Sequence, residues 1–272
     1  MQPLSSMNPL FYRVSVGLHR LFRRCRLVLD GRKYSCTEAD TILLFPVFSH
    51  RSLLLRKLAG TDMTLQLNKV KNLRIAVSLI DGTVVHPGET FSFWKLVAKP
   101  SRRRGFQPGL QLSFGKLTSM TGGGLCQLSN LLHWMVLHTS LQVTERHRHS
   151  TDPFPDYRRK VPFGTGATVF YNYLDFSFIN KATDSYQIKV WIEGKFLCGE
   201  IRCSAEKDIF YSIVERNHRF VRKNELVYRE NEIWKIRHNT AADSVKWEKC
   251  LFKNSARVLY DADTVPVVVE TE

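Results

Sequence analysis

Apolar residues recur along this chain with two periods, and the changes of period mark the elements. Leu67, Val70, Leu73, Ala76, Val77 and Ile80 are three and four residues apart, which predicts an amphipathic helix that Asp81-Gly82 ends with turn chemistry. Leu128, Leu131, Leu132, Met135, Val136 and Leu137 make a wider stripe, which predicts a core helix from Leu125 to about His138. Phe11, Val14, Leu18, Leu21, Phe22 and Cys25 also follow helical spacing, so Asn8 to Leu29 reads as a basic amphipathic helix, and Leu53 to Leu58 as a short helical piece. Thr83 to Val85 is a short strand, Pro87-Gly88 a turn, and Phe91 and Phe93 alternate around Ser92 as in a strand. Phe106 to Phe114 reads as extended, and Gly115 to Gly124 as a loop.

After His138 the period becomes two. Leu141, Val143, Glu145, His147 and His149 share one face of an expected strand, and Gln142, Thr144, Arg146 and Arg148 share the other. Ala167 to Ile179 is aromatic and β-branched and reads as a strand buried on both faces. Tyr186 to Cys203 reads as a hairpin turning at Glu193-Gly194-Lys195, with further strands at Phe210 to Val214, Glu225 to Arg229 and Ile233 to Ile236. The expected class is α+β: N-terminal helices, a central cysteine-bearing helix packed on a mainly antiparallel sheet, and a β-rich C-terminal part. The expected divisions are a basic helical region at 1–59, a core domain at 60–182 and a β-rich extension at 183–272.

Composition narrows the function classes. With 43% hydrophobic residues in 272, the chain can bury a sizeable core. A formal net charge of +15 points to an anionic partner. Nucleic acid is not the expected one, because no zinc-finger, RRM-like, homeodomain or P-loop pattern accompanies the charge. The segment Asn8 to Leu29 either lies on an anionic membrane surface or packs on the domain with a solvated basic side. No apolar run is long enough for a membrane span and no signal-peptide pattern opens the chain, so the expectation is a cytoplasmic or membrane-associated protein. Six cysteines at irregular spacing suit reduced thiols rather than a disulfide framework, and no cofactor is expected.

One stretch carries candidate chemistry. Gly122-Gly123-Gly124-Leu125-Cys126-Gln127-Leu128-Ser129 delivers a thiol to a helix start. Unpaired N–H groups and the helix dipole there favour a thiolate, so Cys126 is a candidate nucleophile with a depressed pKa. His147 or His149 is the candidate base, if the strand turns them toward the helix. The other histidine, Glu145 or Asp175 could orient it, and an Asp175 inside so apolar a run needs a partner in any case. Backbone N–H groups around Gly124 to Gln127 would form an oxyanion hole. Gly123, Gly124, Gln127, Ser129 and Arg146 are the candidate substrate-binding residues. Two other readings stand beside this one: a buried structural cysteine with hydrogen-bonded histidines, and a zinc site made from Cys126 and the His-x-His pair.

The ordered set of Pro87-Gly88-Glu89-Thr90-Phe91-Ser92-Phe93, Gly122 to Ser129, Glu145-Arg146-His147-Arg148-His149-Ser150, and Asp175 with Asn180 resembles the VanW family over roughly residues 48–182. Phe154-Pro155-Asp156 and Pro162-Phe163-Gly164 extend the resemblance. It implies an accessory protein of glycopeptide (vancomycin) resistance and cell-wall metabolism. Some larger, exported members are understood to be L,D-transpeptidases that work through a cysteine. By motif, Cys126 would be that nucleophile and His147 or His149 its partner, acting on a cell-wall peptide or precursor. A non-catalytic accessory role is the alternative. Ala98 departs from the family pattern, standing where a glycine is expected.

Overall fold

The computed structural model describes residues 14, 17–18, 30–38, 40, 42–55, 62–113, 116–148, 151–152, 161–171, 173–240, 244–261 and 266–269. The expected helix from Asn8 to Leu29 lies outside these apart from the helical positions 14, 17 and 18, and so do His149, Phe154, Pro155 and Asp156.

Along the chain come strands β1 (Cys36–Thr37) and β2 (Phe45–Leu53), helix α1 (Met63–Ile80), strands β3 (Thr83–Val85) and β4 (Thr90–Ser92), and helix α2 (Phe93–Val97). A hairpin, β5 (Pro108–Ser113) and β6 (Lys116–Thr121), leads into helix α3 (Cys126–Leu137). Strands β7 (Gln142–Glu145), β8 (Thr151–Asp152), β9 (Ser177–Ile179), β10 (Tyr186–Glu193) and β11 (Phe196–Cys203) follow. The last part holds β12 (Ile209–Lys223), β13 (Leu226–Asn239), β14 (Ser244–Val258) and β15 (Val267–Val269). The class is α+β with mainly antiparallel pairing.

The central sheet has the order β1-β3-β10-β11-β2, so the hairpin β10–β11 pairs with strands from much earlier in the chain. Helix α1 lies against β10, and α3 against β11 and β2. The approach of α3 is close: a Cβ on Gly199 of β11 would come within 2.7 Å of Met135 Cε. Asp62 caps α1 by accepting from Thr64 N–H at 2.7 Å. At the other end Asp81 accepts from Val190 N–H at 2.9 Å and from Lys189 Nζ at 3.0 Å, which pins the helix to β10. Leu73, Ala76, Ile80, Leu128, Leu132, Met135, Ile188 and Leu197 are buried in this layer, which accounts for the two helical stripes seen in the sequence.

Several expectations are corrected. Leu53, read as the start of a helical piece, ends strand β2; Pro46 fits there because β2 is the edge of its sheet, where a missing N–H costs no ladder bond. Phe93 starts α2 instead of continuing a strand, because Ser92 Oγ accepts from Lys95 N–H at 3.2 Å and caps the helix. Residues 116–121, read as loop, pair with 108–113. The strand expected over 141–149 stops at Glu145 after an irregularity between Val143 and Glu145. Among the described residues of the expected strand at 167–179, only Ser177–Ile179 form a strand; earlier, Phe170 and Leu174 exchange N–H···O bonds of 2.8 and 2.9 Å across a turn.

Strand β12 is far longer than expected, β13 joins the two strands expected at 225–229 and 233–236 into one, β14 was not expected, and together they form a second sheet, order β15-β12-β13-β14-β8. Asn224 and Glu225 both take positive φ in the tight turn between β12 and β13, as a two-residue hairpin of this hand requires.

Candidate functional site

Helix α3 is delivered by a glycine loop that the rest of the core grips. Asn72 on α1 donates through Nδ2 to the carbonyls of Gln107 and Gly123, both at 2.9 Å, and accepts from Gln107 N–H at 2.8 Å. The same loop meets the β5 backbone so closely that a Cβ on Gly123 would lie 2.1 Å from the Gly109 oxygen. Gly124 has φ +94°, and a Cβ there would run into the Lys69 stem. Leu125 then takes right-handed helical angles, and no side chain caps the helix. A left-handed residue followed by a right-handed one turns successive N–H groups to one side. Among the described residues, the N–H groups of Gly124 and Leu125 have no backbone or side-chain acceptor, whereas that of Cys126 faces its own sulfur and Gln127 N–H donates back to the Gly124 carbonyl at 3.1 Å.

These groups border a pocket of about 270 Å³. Its walls come from four places: Trp94 at α2, Lys99 and Pro100 after it, Met120 from the β6 strand, and Val169-Phe170-Tyr171 from the turn before β9. The Trp94 and Tyr171 rings meet edge to face at 5.5 Å. Cys126 is partly exposed and lines this pocket. Its thiol donates to the Val169 carbonyl at 3.6 Å. Burial pushes the thiol above its ordinary value; the bonds to Val169 and to its own backbone pull the other way and do not overcome it. The depressed pKa expected from the helix start is therefore corrected: desolvation of the thiol drives it upward.

The other expected site residues take different places. His147 Nε2 lies 3.0 Å from Glu145 Oε1, and that carboxylate also accepts from Asp175 N–H at 3.0 Å. His147 makes no hydrogen bond to Cys126; the link is the main chain, since Thr168 N–H donates to the His147 carbonyl at 2.8 Å beside the residue that holds the thiol. Asp175 is buried and accepts from Ser92 Oγ at 2.5 Å, Trp94 N–H at 3.1 Å and Phe176 N–H at 2.9 Å. It anchors the start of α2 and the Trp94 wall. The partner that its burial demanded is thus Ser92 and two backbone amides. His149 lies outside the described residues. Among the described residues no three His, Cys, Asp or Glu side chains cluster as metal ligands would.

Gln127, Ser129 and Arg146 hold the protein's own backbone. Gln127 Nε2 donates to Ser52 Oγ at 3.0 Å and to the Leu53 carbonyl at 2.8 Å. Ser129 Oγ donates to the Ala167 carbonyl at 2.6 Å. Arg146 donates through Nε to the Gly166 carbonyl at 2.9 Å, and through Nη2 to Gly164. Of the five candidate substrate-binding residues, Gly124 borders the pocket.

A strap over 163–171 emerges from these bonds, and sequence reading missed it. Besides Ser129 and Arg146, His133 Nδ1 bonds the Thr165 carbonyl at 2.6 Å, and Asn130 Oδ1 accepts from Ala167 N–H at 2.7 Å. From the second sheet, Asn231 and Asn254 donate through Nδ2 to the Phe163 carbonyl at 2.9 and 3.3 Å, and Asn254 Oδ1 in turn accepts from Arg148 Nη1 at 2.8 Å. Phe252 of β14 packs under the Arg146 guanidinium, 4.0 Å from its carbon to the ring centre. The strap thus joins α3 to the second sheet and ends as the Val169-Phe170-Tyr171 wall. The sequence hint was the helical spacing of Ser129, Asn130 and His133, polar positions beside an otherwise apolar stripe.

A family model described as VanW like protein matches residues 68–202. The chain is 31% identical over 231 residues to the vancomycin B-type resistance protein VanW of Enterococcus faecalis, covering 85% of this chain and 84% of that protein. It is 35% identical over 111 residues to the uncharacterized protein YoaR of Bacillus subtilis, covering 40% of this chain and 35% of that one. No solved structure matches. No helix among the described residues is long and apolar enough to cross a membrane.

Proposed function

The chain belongs to the VanW family, and on that premise we propose that it serves vancomycin resistance as a thiol-dependent acyltransferase for a cell-wall peptide or its precursor. The observation that carries this reading is a thiol on the wall of a pocket beside two backbone N–H groups, of Gly124 and Leu125, without protein acceptors. In the step, Cys126 gives its proton to an imidazole and its sulfur bonds the acyl carbon. The N–H groups of Gly124 and Leu125 stabilise the oxyanion. The amide C–N bond then breaks, and the amine leaves with that proton. A second amine or water displaces the sulfur from the thioester and restores the thiol. For a peptide bond formed by the second amine this is transpeptidation of the L,D type. His147, oriented by Glu145, or His149 is the base, and binding of substrate brings it to the sulfur. Membrane-surface contact through Asn8 to Leu29 would hold the protein near a lipid-linked precursor.

A second reading has its own observation. A protonated thiol that donates to Val169 suits a pocket that binds a peptide without reacting. One experiment separates the two: the rate of Cys126 alkylation by iodoacetamide against pH, read by peptide mass spectrometry, with and without a cell-wall pentapeptide. The acyltransferase reading expects the peptide either to acylate Cys126 or to shift its alkylation to lower pH, with the shift lost in His147→Ala or His149→Ala. No adduct and an unmoved profile in all three proteins would leave the binding reading.

A further inference from the structure

A second cleft lies away from Cys126, between residues 31–33 and the end of the three-stranded sheet β4-β9-β7. We propose that it is a binding site for a phosphate-bearing anion. The cleft measures about 390 Å³. Its floor is one cross-strand row, with Thr90 opposite Ile179 and Ile179 opposite Gln142. One wall is the segment carrying Arg32 and Lys33, held in place where Thr90 N–H donates to the Lys33 carbonyl at 2.8 Å and Ser35 N–H to the Thr90 carbonyl at 3.0 Å. Lys181, just beyond β9, supplies the opposite wall.

The charge balance of the cleft is one-sided. Among the described residues, Arg32, Lys33 and Lys181 line it and no carboxylate does. The acids at its border have other partners. Asp30 accepts from Tyr34 Oη at 2.7 Å and from Arg32 N–H at 3.1 Å, and Glu89 accepts from His86 N–H at 3.0 Å. Asp30 also lies 3.6 Å from Arg32 Nε, but the Arg32 side chain remains 43% exposed and keeps donors for a ligand. Neither Lys33 nor Lys181 makes an ion pair among the described residues. Asp30 offsets one of these three like charges, and an anion relieves the repulsion that the other two leave. Gln142 and Thr144 add neutral polar groups on the same strand face. Several cations with an amide and a hydroxyl suit a group with many oxygens, and the volume exceeds what a single carboxylate fills. In sequence, Arg20, Arg23, Arg24 and Arg26 lead directly into this wall.

Phosphate could reach the cleft on a soluble molecule or on a lipid headgroup, and the test distinguishes them. Inorganic pyrophosphate is titrated into the full chain by calorimetry at low salt, and vesicles of phosphatidylglycerol or phosphatidylcholine are tested by flotation. The variants are Lys33→Ala/Lys181→Ala and, as a control that removes the same two charges from exposed positions, Lys71→Ala/Lys249→Ala. Saturable pyrophosphate binding that falls about tenfold or more in the cleft variant and less than about twofold in the control supports the site with a soluble ligand. Binding to phosphatidylglycerol alone, lost in the cleft variant and kept in the control, supports it with a headgroup. Binding of neither probe, or equal weakening by both variants, overturns the proposal.

Discussion

The two sheets of this molecule are held by different physics. Around α1, α3 and the central sheet, one continuous set of apolar side chains is buried, from Leu54 to Cys203. Among the described residues the second sheet has a small apolar cluster of Phe220, Val227 and Val258, with Tyr260 against it, and Val221, Ile233 and Ala256 buried besides. Its inner face carries Arg229, Asn231, Lys235 and Asn254, all buried. Arg229 pairs with Asp152 at 3.2 Å, with both side chains almost wholly buried, and donates to His218 at 2.9 Å. Lys235 Nζ donates to the Thr139 carbonyl at 2.5 Å, just past the end of α3. Apolar burial is non-directional and tolerates a change of shape, whereas a buried polar network is strong only while every member is paired. The core therefore supplies stability, and the second sheet supplies a set position for the strap that walls the Cys126 pocket.

The largest effect expected from this contrast is at Arg229. Arg229→Ala leaves Asp152 buried without its guanidinium and should cost about 3–5 kcal/mol in urea unfolding. Conservative changes sharpen the contrast. Arg229→Lys keeps the charge but loses the planar fork, and about 1.5–3 kcal/mol should go with it. Leu132→Met in the core, similar in volume, should cost less than about 1.5 kcal/mol. Equal costs for these two swaps would break the distinction between the regions.

Acid should act where the regions meet. Burial holds His133 down at about 3 and His138 at about 4, against an ordinary 6.5. The unfolded chain then binds protons below pH 6.5 that the folded chain does not. Stability is full above 6.5 and falls as pH drops toward the folded values. His133→Gln, which retains a donor for Thr165, should flatten the dependence of the urea midpoint between pH 6.5 and 4; an unchanged slope would remove His133 from the account. The smallest effect is local. Ala98, just after α2, has φ 54° and ψ −165°, a conformation that favours glycine. Ala98→Gly should stabilise by about 1 kcal/mol, read as a rise in Tm. It stands where the sequence resemblance led to an expected glycine, so that expectation and the backbone strain fall on one residue.

The two long helices and the hairpin at 186–203 were legible because their apolar spacing matches one period over many residues. The thiol at the start of α3 was legible for the same reason, since three glycines directly precede the stripe. The unity of β13, read as two short strands, and the existence of β14 were not, because their inward positions carry Arg, Asn and Lys, which a hydrophobic pattern reads as solvent-facing. Nor was the path of 167–179, where aromatic composition suggests a strand but Phe170 and Leu174 bond each other across a turn.

The site divides in the same way. By itself the sequence determined the family, the α+β class and the delivery of Cys126 by a glycine loop, all of which rest on local spacing and short motifs. Only the tertiary structure decided the protonation of that thiol, the pairing of His147 with Glu145, and the engagement of Gln127, Ser129 and Arg146 by the main chain. Those outcomes depend on which groups are buried together from distant parts of the chain. Desolvation and hydrogen-bond partnership are properties of that packing, and no local pattern encodes them.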